Sequence, residues 1–276
     1  MAMRPRPAGP VLIRGGGELA SAAARLVFLA GFEVAVLERE APLAVRRRVC
    51  LAEAVFSGAA VVEETAGRLV PISEIRAAWE TGGFVPVAVD PDGASLADLE
   101  PGVVVDGRMA KRALDTRIDQ AALVVGLGPG FVAGVNVHAV VETARGASLG
   151  RVIWTGPAEA DTSVPSQVGG HAESRVLRAP RSGVFRGRCR IGDLVRAGEP
   201  VGEIDGTLVS APIAGLLRGL LADGVPIGAG VKVGDVDPRG RQVDPSRLSD
   251  KARTVAAGTL EAILLGRMGL PASPRP

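Results

Sequence analysis

The sequence predicts an α/β protein: a mostly parallel sheet at the start of the chain, then a small all-β unit and a terminal helix. Three observations predict it. A short apolar run is followed at once by three glycines and a stretch of helical period. Short apolar segments and helical stretches then alternate through the first half, the pattern of a parallel sheet with crossovers. The C-terminal half matches itself at an offset of 32 residues. The expected organisation is a disordered lead-in over 1–10, a nucleotide-binding domain over 11–160, a β domain over 170–244 and a helical segment over 245–270.

Val11-Leu12-Ile13 reads as a buried strand, and Gly15-Gly16-Gly17 follows it. From Glu18 to Ala30, Leu19, Ala23, Leu26, Val27 and Ala30 recur at three- and four-residue steps, which predicts a helix. Gly31 is placed to end it. A second strand runs from Glu33 to Leu37 and ends at Glu38. The spacing is G-x-G-x-x-A, from Gly15 and Gly17 to Ala20. Gly15 makes the tight turn, Gly17 lets backbone amides approach a pyrophosphate, and Ala20 permits close helix–sheet packing. The helix start at Glu18 and Leu19 adds its dipole and free N–H donors. Glu38 stands 21 residues after Gly17, near the distance expected of a ribose-binding acid. The order predicts a Rossmann-like unit binding a dinucleotide. The plainer alternative is a tight turn with no ligand and a solvated Glu38.

Arg46-Arg47-Arg48 lies just beyond the second strand. Arg46 and Arg47 could reach a further phosphate, or the run could be a solvated helix face. More strands are expected at 67–71, 85–89, 103–106 and 123–125, with a helix over 73–81 capped by Ser73. Two loops stand at strand C-terminal ends, where open sheets place ligands. One runs from Asp106 through Arg108 and Lys111; the other holds Gly126, Gly128 and Gly130. His138 and Glu142 share a face at helical or strand spacing and are candidates for acid–base work, with Lys111. The alternative for His138 is a satisfied structural imidazole.

In the C-terminal half, Ala179-Pro180-x-x-Gly183 matches Ala211-Pro212-x-x-Gly215, and ten identities fall in 27 positions at one offset. Two such copies cannot bury their apolar faces separately, so they are expected to interlock. The A-P-x-x-G half-motif resembles biotinyl- and lipoyl-type barrel-sandwich domains. The hairpin that carries a lysine in those domains reads Gly202-Glu203-Ile204-Asp205-Gly206-Thr207-Leu208 here, so covalent biotin or lipoate is not expected. Structure, docking or covering of a substrate remains. Ser249 is the expected N-cap of the last helix, whose apolar residues keep helical spacing.

Composition narrows the class. The formal net charge of +2 does not point to nucleic acid. No apolar run reaches the ~18 uncharged residues of a membrane span, and the first ten residues lack the apolar core of a signal peptide. Cys50 and Cys189 lie far apart, and the histidines are His138 and His171, so no dedicated metal site is expected. A reduced cytoplasmic setting fits.

Several strings together resemble the YqeB-type accessory proteins, named for selenium-dependent molybdenum hydroxylase maturation. They are Ile13 to Ser21, Pro42 to Arg47 with Ala52 to Val55, Asp106 to Arg112, Gly126 to Phe131, and Val137 to Gly146. The resemblance runs from about Val11 to about Gly266. It implies a cytoplasmic protein acting near molybdenum-cofactor enzymes. Its ligand would be NAD(P) or a molybdopterin dinucleotide, and its partners a client hydroxylase or cofactor-assembly proteins, with a homo-oligomer also open. Glu18 stands where the resemblance leads one to expect Asp, and its extra length would crowd a phosphate. Two other functions fit the residues: an NAD(P)-dependent oxidoreductase of a small molecule, and a non-catalytic scaffold with a degenerate nucleotide site.

Overall fold

The computed structural model describes residues 9–110, 114–160, 170 and 173–269. Its first half carries strands β1 (Val11–Arg14), β2 (Val34–Glu38), β3 (Ala59–Val62), β4 (Thr65–Leu69), β5 (Val85–Val89) and β6 (Val103–Asp106). After them come β7 (Leu123–Leu127), β8 (Val132–Ala133), β9 (Ala139–Val141), β10 (Val152–Ile153) and β11 (Gly156–Pro157). The helices are α1 (Glu18–Leu29), α2 (Ala54–Ser57), α3 (Ile75–Thr81) and α4 (Leu96–Leu99). Nine of the strands form one sheet in the order β10-β9-β7-β6-β1-β2-β5-β4-β3. Pairing is parallel from β9 through to β4, with antiparallel strands at both edges.

The apolar runs are continuous because both sheet faces are covered. Val11, Ile13, Val36, Val105 and Val125 point to one face, where α1 packs. Leu12, Ala35, Leu37, Val104 and Val124 point to the other, under α3 and α4. Strand order reverses at β1, which lies between β2 and β6. The register puts Arg14 level with Leu37 and Asp106 at the strands' C-terminal ends. A sheet of this kind opens a crevice at that point.

The second half is β12 (Val176–Arg178), β13 (Gly183–Gly187), β14 (Leu194–Val195), β15 (Pro200–Ile204), β16 (Thr207–Ser210), β17 (Gly215–Leu220), β18 (Pro226–Ile227) and β19 (Lys232–Asp237). They form two four-stranded sheets around one core. The two sequence copies are equivalent in space. Phe185 pairs with Ile204, and Leu217, in the second copy, pairs with Val236. Each copy also lends a strand to the other: β14 pairs with β17, and β18 with β13. The copies interlock because neither has a face to bury alone.

Helix α5 (Asp250–Arg267) returns to the first sheet and packs on α1, β7 and β9. The Ser249 hydroxyl accepts the Ala252 amide, so it caps α5 as expected. The expected cap at Ser73 does not form. A 3-10 turn occupies Ile72–Glu74, and α3 starts after Glu74 without a side-chain cap. Strand β4 is the expected 67–71 element shifted toward the N-terminus, and its hairpin partner β3 was not expected. Among the described residues no helix is long and apolar enough to cross a membrane.

Candidate functional site

The crevice is a cleft of about 790 Å3. The glycine turn, the ends of β2 and β6, the 39–44 segment and Pro226 of the β unit line it. The three glycines have different reasons. Gly15 has φ +92°, and a β-carbon there would lie 3.0 Å from Arg108 Cα. Gly16 passes so close to the 50–53 turn that a β-carbon would lie 2.7 Å from the Ala52 amide nitrogen. Gly17 faces open space, with no atom within 4 Å of that position. It is the N-cap residue of α1, and no side chain caps the helix. The first-turn amides and the positive end of the dipole therefore face the cleft uncapped. Ala20 packs against Gly107, where a β-carbon would come within 2.7 Å of its own. The small residue does permit the close packing.

Gly16 is clamped from several sides. Its amide donates to Glu38 Oε2 at 2.8 Å, and its carbonyl accepts from Ser21 Oγ at 2.8 Å and the Ala52 amide at 3.0 Å. Ser21 also accepts the Leu51 amide at 2.7 Å. Glu38 Oε1 takes the Arg39 amide. Burial pushes the Glu38 carboxyl above its ordinary value, against those two backbone bonds. The Glu18 carboxylate is held by the protein: Oε1 accepts the Ser249 amide and Oε2 lies 3.4 Å from Arg46 Nη1. It ties α1 to the start of α5.

Arg14, not singled out from the sequence, is the last residue of β1 and 1% exposed. Its Nη2 donates to Asp115 Oδ2 at 2.7 Å and to the Pro91 carbonyl at 3.2 Å. Its Nη1 is buried without a hydrogen-bond partner among the described residues. Arg108 reaches Asp115 Oδ1 and Asp106 Oδ2, both at 2.6 Å, and Thr116 Oγ1 at 3.0 Å. Asp106 is 1% exposed and also accepts from the Thr116 hydroxyl. Burial acts to raise the Asp115 carboxyl, but hydrogen bonds from Arg14 and Arg108 bring it down to about 2. The signal for Arg14 was a cation ending a buried strand just before the glycines. Asp115 gave none toward Arg14, which it meets across 101 residues of chain.

Other expected residues are not brought to the cleft. Arg46 reaches Glu18 and the Arg247 carbonyl. Arg47 donates to the Leu220 carbonyl and to Glu53. Both arginines join the first unit to later segments, and neither lines this cleft. Gly126 makes room for the Phe131 ring and Gly128 for Thr143, so this loop is glycine-rich for packing. Gly126, Gly128 and Gly130 do not line the cleft. His138 and Glu142 flank β9. His138 Nδ1 accepts the Val124 amide, and the Glu142 carboxylate accepts the amides of Thr143, Ala144 and Glu159. Glu142 organises its own loop through backbone amides. Lys111 lies outside the described residues. Cys50 and Cys189 are free thiols, and among the described residues no Cys/His/Asp/Glu group is placed to hold a metal.

No protein-family model matches the chain. A protein of Escherichia coli (strain K12) described as "Uncharacterized protein YqeB" is 44% identical over 255 residues. The match covers 92% of this chain and 47% of that protein, so the chain spans about half the length of this relative. Among solved structures, the apo Ectoine utilization protein EutE (DoeB) from Ruegeria pomeroyi is 12% identical over 83% of this chain and 86% of its own, with a TM-score of 0.25. An aspartoacylase family protein from Mesorhizobium loti is 12% identical over 85% and 87%, with a TM-score of 0.26. Likenesses at these TM-scores support no inference about chemistry.

Proposed function

We propose, on the premise that the chain belongs to the YqeB family as its 44% identity supports, that it is a nucleotide-binding accessory protein. One observation carries the reading: the open Gly17 position and the uncapped start of α1 stand beside a buried arginine whose Nη1 has no partner among the described residues. That combination suits an anion such as a phosphate. The rest of the cleft suits the rest of a nucleotide. Glu38 has acceptor capacity for ribose hydroxyls. Leu43, Leu114 and Met109 offer apolar surface to a ring. Its size falls in the usual range for cofactor sites.

The finer reading takes the first sheet as Rossmann-like and the β unit as a barrel-sandwich-like wall over the cleft. It takes the ligand as NAD(P) or a molybdopterin dinucleotide. The family resemblance extends this to maturation of molybdenum-cofactor-dependent hydroxylases in the cytoplasm, with a client enzyme or cofactor-assembly protein as partner. One observation favours a second reading, a scaffold with a degenerate site: Glu38 already takes the Gly16 amide that a phosphate would use.

A thermal-shift panel with NAD, NADP, ATP, GTP, CTP and the cytidine and guanosine molybdopterin dinucleotides separates the two. Ligand at about 100 times its dissociation constant adds about 2.7 kcal/mol. At this chain length that is roughly 5–10 °C. The expected result is a shift with one ligand class, abolished in Gly17→Val while the unliganded melting temperature holds. No shift with any ligand would leave the scaffold reading.

A further inference from the structure

A second cleft, of about 840 Å3, lies on another side of the junction between the two units. The 47–56 segment of the first unit forms one wall. The loop after β13 and the turn after β17 form the other. Arg47, Arg48, Arg188 and Arg190 line it against Glu53 and Asp223. Both carboxylates are already engaged. Glu53 holds Arg47 at 2.9 Å, and Asp223 accepts the Gly187 amide at 2.7 Å. Arg188 pairs with Glu203, outside the cleft lining. Arg48 and Arg190 are exposed, and among the described residues neither guanidinium has a hydrogen bond or ion pair. They come from different units and converge around one turn. The Arg48 guanidinium lies over Gly192, where a β-carbon would sit 3.2 Å from Nη1 and Nη2.

We propose that this cleft is a second anion site, binding a phosphate-bearing small molecule between Arg48 and Arg190. Guanidinium forks match phosphate oxygens in pairs, and two guanidinium groups that pair with no carboxylate among the described residues favour a polyanion. The lining argues against an acidic peptide. Ile191, Leu220 and Leu221 are buried in the β-unit core, which leaves Phe56 as the exposed large apolar group. Peptide docking normally uses several apolar pockets or a free strand edge.

The test is calorimetric titration of the full chain with inorganic pyrophosphate at low salt, comparing wild type, R48E/R190E and G17V. Both arginines are exposed, so the double variant is expected to keep the wild-type melting temperature. The expected result is a binding event in wild type that G17V retains and R48E/R190E weakens at least tenfold. Loss in G17V instead would assign the event to the first cleft and overturn the proposal. So would equal binding by R48E/R190E, or no binding to wild type. Tighter binding of an octaglutamate peptide than of pyrophosphate, equally sensitive to R48E/R190E, would make the surface a protein-docking site and overturn it too.

Discussion

At the residue scale, adjacent glycines with the same local composition are held to different standards. Gly16 is required by packing, since its carbonyl and amide are both clamped and a β-carbon would strike the Ala52 backbone. Gly17 is packed against nothing. Gly16→Ala is therefore expected to destabilise the protein by about 1–3 kcal/mol, the usual cost of overpacking against backbone that cannot yield. Gly17→Ala is expected to stay within ~0.5 kcal/mol, as substitutions away from packed features do. Urea unfolding of the two variants checks the contrast. Equal losses would mean that Gly17 is also structural.

At the element scale, α5 shows how a helix late in the chain is recruited to an early core. Ala252, Val255, Ala256 and Ile263 are buried in the same cluster as Val27 of α1 and Val125 of β7. Its start is fixed twice, by the Ser249 hydroxyl on the Ala252 amide and by Glu18 on the Ser249 amide. Ser249→Ala is expected to cost about 0.5–2 kcal/mol through the lost cap alone. Chemical denaturation measures it, and an unchanged midpoint would show that Glu18 suffices to start the helix. In the β unit, equivalent glycines of the two copies have matching turns. Gly198 and Gly230 have φ +82° and +78°, and Gly183 and Gly215 have +156° and +159°. The repeated glycines mark backbone shapes that recur because the strands pair alike in each copy.

At the scale of the whole molecule, the two units are joined by backbone as well as side chains. The Leu220 amide donates to the Val45 carbonyl at 2.8 Å, and a β-carbon at Gly219 would lie 2.9 Å from that same oxygen. Arg47 adds its bond to the Leu220 carbonyl, and Pro226 reaches the first cleft. Arg47→Ala is expected to lower stability by about 1.5–3 kcal/mol, the range for hydrogen bonds to a charged group. Calorimetry should show one transition displaced to lower temperature. Two resolved transitions would mean that the units fold separately and that the junction clefts are incidental.

The sequence alone determined the features that arise from neighbours along the chain. The strand, glycine turn, helix and strand at the start needed only local period and a few φ-permissive glycines. The 32-residue duplication was legible because each copy must repeat the same strands and turns. Only the tertiary structure decided what converges on the cleft. Asp115 meets Arg14 across 101 residues of chain, and Arg47 meets the Leu220 carbonyl across 173. Composition could not tell a packing glycine from an open one, so Gly126 and Gly17 looked alike until Phe131 was placed against the first. Arg46 and Arg47 looked like phosphate ligands for the same reason. A guanidinium takes whichever acceptor the fold brings to it, and for Arg46 and Arg47 the fold brings carbonyls and carboxylates of the protein itself.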